Sequence, residues 1–374
     1  MQSWADQRFD RLAAKFARSA ALAAEQNLVP YKSEGGRWVG SPFDGNGWWT
    51  GGFWPGLMWQ LYAGTRDKRF LTEARRVVAL LSAELTRFDA LCHDLGFMYL
   101  LSTGADDKLT GNATAHRDTL HAATLLAGRF NPKGGFIRAW NGDKCGWAIV
   151  DCMMNLPLLY WATRQTGDPR FEQIARIHAD TSLREFVRPD GSCNHIVIFD
   201  PATGEALDKP AGLGYAVGSS WSRGQAWALY GFTLSHLATC EPRYLDTACR
   251  IADSFVANIR ADGLTDCDFR QPAEPERIDN IAGACACCGL LELAKVAPAD
   301  RAARYREAAE RMLRALDELC ADWSEASPGV LQKCTASYND DGAGRHVNIL
   351  YGDYFFAEAI AKLRGSDPML WLTR

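Results

Sequence analysis

Apolar and polar positions along this chain recur with helical spacing, and the strict alternation of a half-buried strand is almost absent. Twelve segments are expected to be helical, near 4–27, 53–64, 67–86, 94–104, 110–129, 147–165, 168–184, 221–239, 242–259, 278–296, 299–319 and 349–364. They alternate in character. The odd members are amphipathic and charged, as in Asp67-Lys-Arg-Phe-Leu-Thr-Glu-Ala-Arg-Arg-Val-Val. The even members are aromatic, small or apolar nearly all round: Phe53 to Gly64 carries no charge, and 221–239 carries only Arg223. A helix apolar on every side is buried, whereas one with a polar face lies outside. Six buried rods alternating with six half-exposed ones form an internal repeat of helical hairpins. The pattern therefore predicts an all-α fold, an (α/α)6 barrel, as one catalytic domain over 1–374. Its inner helices are 53–64, 94–104, 147–165, 221–239, 278–296 and 349–364. Short strands are expected around His195-Ile-Val-Ile-Phe199 and Gly135-Phe-Ile-Arg138.

Inner helices of such a ring run parallel, so their N-termini converge on one mouth. The residues there are Trp49, Asp94, Asp151, Trp221 with Arg223, Asp279 and Asp353. Two of these stand out. Asp151 lies in Ala148-Ile-Val-Asp151-Cys-Met-Met-Asn-Leu-Pro-Leu-Leu-Tyr-Trp-Ala162, and Asp94 in His93-Asp94-Leu-Gly-Phe-Met-Tyr-Leu-Leu. Each is a lone carboxylate entering an apolar helix, and burying a carboxylate costs several kcal/mol unless it is paired or hydrogen-bonded. Asp in a first helical turn is also an ordinary cap. That reading is preferred for Asp279 and Asp353. For Asp94 and Asp151 the adjacent His93 and the Asn155 one turn on favour paired acid–base chemistry, with one pKa raised by its neighbour. Arg223 needs an anionic partner: a substrate carboxylate, Asp94 or Asp151. The long connection 187–220 carries His195, and long loops at one mouth commonly build a binding site. Trp48, Trp49, Trp140, Trp221 and Trp227 have faces suited to sugar rings.

Composition narrows the field. The 374 residues carry a formal charge of −4, which offers no basic footprint for nucleic acid. No apolar run reaches the roughly 18 residues of a membrane span, and the charged start lacks a signal peptide's apolar core. An unsecreted, cytoplasmic protein is expected, with its 12 cysteines reduced and mostly buried. Cys285, Cys287 and Cys288 lack metal-ligand spacing and read as a close-packed helix face, so no metal is expected. A nucleotide loop, an HExxH helix and a nucleophile elbow are missing, and no cofactor is implied.

Five motifs then carry a family resemblance: Trp49-Thr-Gly-Gly-Phe-Trp-Pro-Gly56, His93-Asp-Leu-Gly-Phe97, Ile149-Val-Asp-Cys-Met-Met-Asn-Leu-Pro157, Trp221-Ser-Arg-Gly-Gln-Ala-Trp227 and Tyr351-Gly-Asp-Tyr354. In this order, over about 49–363, the chain resembles the unsaturated glucuronyl hydrolases of glycoside hydrolase family 88. The resemblance implies an (α/α)6 barrel and a substrate left by a polysaccharide lyase, an oligosaccharide whose non-reducing end is a 4,5-unsaturated uronic acid. It implies removal of that sugar by hydration of its enol-ether double bond, without metal or nicotinamide. Asp151 matches the family's general acid/base and Asp94 its second carboxylate. His93, Trp49, Trp140, His195, Arg223 and Trp227 match its substrate pocket. Two positions depart from the pattern: Leu213 stands where a Gln is usual, and Gly51 where Asn or Asp is usual. Arg345 and His346 read as a solvated loop, with contact to an anionic second sugar as the alternative. Two other functions compete: a sugar epimerase or isomerase on the same barrel, which needs paired His bases, and a non-catalytic carbohydrate-binding protein.

Overall fold

The computed structural model describes residues 2–41, 45–340, 342 and 344–371. Its helices come as six outer–inner hairpins. In chain order they are α1 (Trp4–Glu25) with α2 (Phe53–Thr65), then α3 (Lys68–Glu84) with α4 (Leu95–Tyr99). A π turn, Leu100–Gly104, runs α4 on into α5 (Ala105–Thr110). Next come α6 (Ala113–Ala127) with α7 (Leu156–Thr166), α8 (Arg170–Glu185) with α9 (Ser222–Thr239), α10 (Pro242–Ala257) with α11 (Asn280–Leu293), and α12 (Ala299–Cys320) with α13 (Leu350–Arg364). With α4, the π turn and α5 taken as one rod, these are the twelve segments that the periodicity predicts.

The inner rods pack in sequence, α2 on the π turn, α4 on α7, α7 on α9, α9 on α11, α11 on α13 and α13 back on α2. The ring is closed, an (α/α)6 barrel. Outer helices earn their place by one-sided apolarity. In α1, Phe9, Leu12, Phe16, Ala20 and Ala23 are buried at helical spacing. Ser3 and Asp6 close a reciprocal cap on its first turn. The outer layer is joined end to end where Trp4 Nε1 donates to Asp317 of α12 at 3.2 Å, beside an Arg8–Asp317 ion pair. Inner helices are buried without a polar face, α2 from Phe53 through Leu61.

The barrel axis is filled by rings from several inner helices. Phe53 lies 5.4 Å from Phe97 and 5.6 Å from Phe355. Trp371, near the end of the chain, stacks parallel to Phe355 at 6.2 Å and edge-on to Phe97 at 5.9 Å, donating its Nε1 to Glu358 at 2.9 Å. Below it, buried Lys362 is neutralised by Glu292 at 2.9 Å, Glu358 at 3.3 Å and Asp367.

Two expectations need correction. The segment 147–165 does not begin as a helix. Four short strands come earlier, β1 (Pro30–Glu34), β2 (Arg37–Gly40), β3 (Phe130–Asn131) and β4 (Phe136–Ile137); Trp147–Ile149 is β5, Val150–Met154 a 3-10 turn, and α7 starts at Leu156 with Pro157 in its first turn. The run Ile149-Val150 is β-branched, and it finds a partner in β6 (Ile196–Phe199), with Ile149 opposite Ile196 and Trp147 opposite Ile198. The inner rod expected at 94–104 continues to Thr110, and the next helix starts only after Asn112, whose side chain accepts from the N–H groups of Thr114 and Ala115. Cys287 and Cys288 of α11 point apart, donating to Ala309 of α12 at 3.5 Å and to Phe355 of α13 at 3.3 Å. Among the described residues, no helix is long and apolar enough to cross a membrane.

Candidate active site

A cavity of about 680 Å³ opens at the N-terminal ends of the inner helices. Asp94 and Asp151 reach it from neighbouring rods, and Trp49, Trp140, His195 and Arg223 line it with them. The remaining two candidates do not. His93 is wholly buried behind Asp94, and Trp227 is wholly buried in the axis, 5.1 Å from Phe97 and 5.4 Å from Phe355. Both therefore stand behind the cavity wall rather than on its surface.

Asp94 is the N-cap residue of α4, yet its side chain makes no cap bond. It is committed elsewhere. Cys92 Sγ donates to Oδ2 at 3.0 Å, and Asn155 Nδ2 donates to Oδ1 at 3.3 Å. The Asn155 amide is itself fixed, because its Oδ1 accepts the Phe97 N–H at 2.9 Å. Gly96 lets α4 come this close: a Cβ there would stand 2.5 Å from Asn155 Cα. His93 Nε2 lies 3.4 Å from Asp94 Oδ1. Burial holds the His93 pKa well below the ordinary histidine value, so this contact is dipolar rather than ionic. Burial, then the charge of Asp151, pushes Asp94 up to about 7 against the pull of its hydrogen bonds.

Asp151 arrives by a different route. It follows β5 on the 3-10 turn, and the β5–β6 pairing continues one step further as Val150 N–H donates to His195 O at 3.0 Å. Sheet register thus sets Asp151 beside His195, with His195 Nε2 3.5 Å from Asp151 Oδ2. His195 Nδ1 accepts the Leu213 N–H at 3.0 Å, so the ring proton belongs on Nε2, on the side of Asp151. Asp151 Oδ2, His195 Nε2 and Trp221 Nε1 are buried polar atoms without a hydrogen-bond partner. Such groups are rare in folded proteins, and two of them, on Asp151 and His195, belong to residues that line the cavity and mark where a ligand's polar atoms belong.

Arg223 departs from the expected pairing with either catalytic candidate. Its partner is Asp279, at 2.5 Å, and it also donates to the carbonyls of Thr335 at 2.7 Å and Ala336 at 2.6 Å. Asp279 does cap α11, accepting from Ile281 N–H at 3.2 Å, so the capping reading is half of its role. Asp353 caps nothing. It accepts from the N–H groups of Val330 at 3.0 Å and Leu331 at 2.6 Å and from Asn348 at 3.0 Å, fixing a loop beside the mouth. His346 Nε2 accepts the Ile278 N–H at 2.9 Å, which makes it structural.

The cavity wall also holds residues that sequence reasoning missed: Tyr31, Cys92, Lys144, Trp147 and Tyr351. Tyr351 lies inside one of the quoted motifs, and its ring packs 5.0 Å from Trp49. Trp147 and Lys144 belong to the strand and turn that were expected to be helix or loop, so their convergence on the mouth was not readable from spacing.

No family model matches the chain. Individual relatives do. It is 36% identical over 334 residues to the unsaturated glucuronyl hydrolase of Bacillus sp. (strain GL1), covering 87% of this chain and 89% of that one. It is 32% identical over 339 residues to the unsaturated chondroitin disaccharide hydrolase of Streptococcus pneumoniae (strain ATCC BAA-255 / R6), covering 88% and 85%. The crystal structure of the Bacillus sp. GL1 enzyme superposes with a TM-score of 0.91 at 32% identity, over 98% of this chain and 99% of that one. A closed six-hairpin barrel with two carboxylates in its mouth, and relatives alike over nearly their whole length, lead to one assignment: the chain belongs to the unsaturated glucuronyl hydrolases.

Proposed function

We propose that the chain is a glycoside hydrolase that removes a 4,5-unsaturated uronic acid from the non-reducing end of a lyase-generated oligosaccharide. A disaccharide of the chondroitin type, named for the Streptococcus pneumoniae relative, is the first substrate class to consider. The observation that carries the reading is the unlike pair in the mouth. Both oxygens of Asp94 accept hydrogen bonds, whereas Asp151 Oδ2 has no hydrogen-bond partner.

The chemistry follows from that asymmetry. Burial and the neighbouring charge of Asp151 favour the protonated form of Asp94, and an incoming uronate carboxylate makes ionisation of both carboxylates costlier still. Asp151, with its open oxygen, delivers the proton to C4 of the enol ether. The cation that develops at C5 and the ring oxygen is stabilised by the carboxylates around it. Water then adds at C5 and returns its proton to Asp151. The resulting hemiketal opens, the glycosidic bond breaks, and the leaving sugar departs with its oxygen protonated. Asp94 stays in place as the second carboxylate. His195, its Nε2–H on the side of Asp151, orients the acid.

Loss of the ultraviolet band of the conjugated double bond tests this directly. The expected result is decay of the band with at least one unsaturated uronyl disaccharide from chondroitin, heparin, gellan, xanthan or ulvan lyases. A flat trace across that panel with folded protein overturns the proposal. Neither competing function gains support. An epimerase needs paired His bases, and His93 is sealed behind Asp94, leaving His195 alone in the cavity. The named relatives are hydrolases rather than binding proteins.

A further inference from the structure

The carboxylates Asp94 and Asp151, the guanidinium of Arg223 and the ammonium of Lys144 line the cavity. Arg223 is spent on Asp279 and two carbonyls. Lys144 makes no ion pair among the described residues. It is held instead by two aromatic faces, its Nζ 4.8 Å from the ring centre of Trp140 and 5.0 Å from that of Trp147. The two rings are 5.8 Å apart. Cation–π contacts of this kind fix an ammonium without neutralising it. Among the described residues, the cavity therefore presents one cation, Lys144, that no carboxylate neutralises.

Its place along the wall is also defined. Strand β5 leads from Trp147 to Ile149 and the turn bearing Asp151, at about 3.3 Å per residue. Exposure rises outward along this path: Asp151 and Ile149 are buried, whereas Trp147 and Lys144 are half-buried. Lys144 thus stands outward of Asp151 along the cavity wall. Resting on the hydrolase reading above, we infer that Lys144, Trp140 and Trp147 form a subsite for an anionic substituent, a sulfate or a carboxylate, on the leaving sugar. The aromatic pair offers its surface to the ring, and the ammonium donates charge-assisted hydrogen bonds to the anion.

The test uses protein carrying Asp151→Asn, so that ligand binds without turnover, with and without Lys144→Gln or Lys144→Arg. Tryptophan fluorescence titrations compare three unsaturated disaccharides whose second sugar is neutral, 6-sulfated or a uronate. With Lys144 present, an anionic second sugar is expected to bind about tenfold tighter than the neutral one, in line with a charge-assisted hydrogen bond. Lys144→Gln should bring that ratio to about one, and Lys144→Arg should retain most of it. The sulfate and carboxylate arms show which anion is preferred. Equal binding of all three with Lys144 present, or a preference that survives Lys144→Gln, overturns the inference. Preferential binding without turnover by the protein with Asp151 intact overturns the hydrolase reading alone. Binding of none of them overturns both.

Discussion

The Leu213 N–H donates to Nδ1 of His195 at 3.0 Å, which places the imidazole proton on the nitrogen 3.5 Å from Asp151. Leu213, one of the two positions read above as departures from the family pattern, thus acts on His195 and the acid through its backbone. The approach depends on Gly212, at φ +62°, where a Cβ would fall 1.9 Å from His195 Nδ1. Gly212→Ala is expected to push the ring off Asp151 and lower kcat by about 100-fold, the order of loss for a 1 Å misplacement at a reacting centre. The melting temperature should move little by comparison, since the loop is at the surface of the mouth. Steady-state kinetics beside a thermal melt checks this, and an unchanged kcat would remove His195 from the mechanism.

Replacing the acid itself should separate chemistry from folding. Asp151→Asn is nearly isosteric, and Oδ2 has no hydrogen bond to lose. The variant should keep its circular dichroism and lose activity by about 10²–10⁴, the usual contribution of general acid–base catalysis. Retention of more than about a tenth of the wild-type rate contradicts the assignment of Asp151.

Asp94 makes a prediction about stability against pH. Its carboxyl is pushed up to about 7 in the folded protein, against 3.8 for an unburied one, because burial and then Asp151 disfavour the anion. Between those values the folded state holds a proton that the unfolded chain has released. Stability therefore falls as pH rises through this window, by at most about 4 kcal/mol for this group. Asp94→Asn removes the dependence. Its melting temperature relative to wild type should increase from pH 5 to pH 8. Asp353, raised to about 6, slopes the same way but is common to both proteins, so the difference isolates Asp94. Parallel curves would contradict the raised value.

The Arg223–Asp279 pair is buried on both sides. Removing one member leaves an uncompensated charge, so Arg223→Gln or Asp279→Ala alone should cost about 3–5 kcal/mol. The double variant should cost much less than the sum, which chemical denaturation would read as a coupling energy. Additive losses would mean that the carbonyls of Thr335 and Ala336, rather than Asp279, hold the guanidinium.

The fold was legible because inner and outer rods differ in where charge is allowed. Phe53–Leu61 has no polar face and Phe9–Ala23 has one, and that contrast repeats round the ring. The two carboxylates were legible for the same reason, as charges in otherwise apolar stretches. What was hidden lies in non-local pairing. Nothing near Ala148-Ile149-Val150 announces β6, about fifty residues on, so the strand that carries Asp151 to His195 read as helix. Arg223 posed the same difficulty, since its true partner Asp279 comes from the next inner helix and looked like a cap. His93 and Trp227 were readable as neighbours of the chemistry, but their burial depends on packing that no local pattern records.

Trp371 and α13 give the ring a particular history. The barrel closes only when α13 meets α2, and the axis is sealed only when Trp371 reaches Phe97, Tyr230 and Phe355. Up to that moment the emerging chain carries helices apolar on every side with no complete shell to cover them. Contacts between residues so far apart in sequence are slow to form and leave sticky intermediates. The stage before α13 and Trp371 dock is therefore the most aggregation-prone, and molecular chaperones have most to protect until the ring closes.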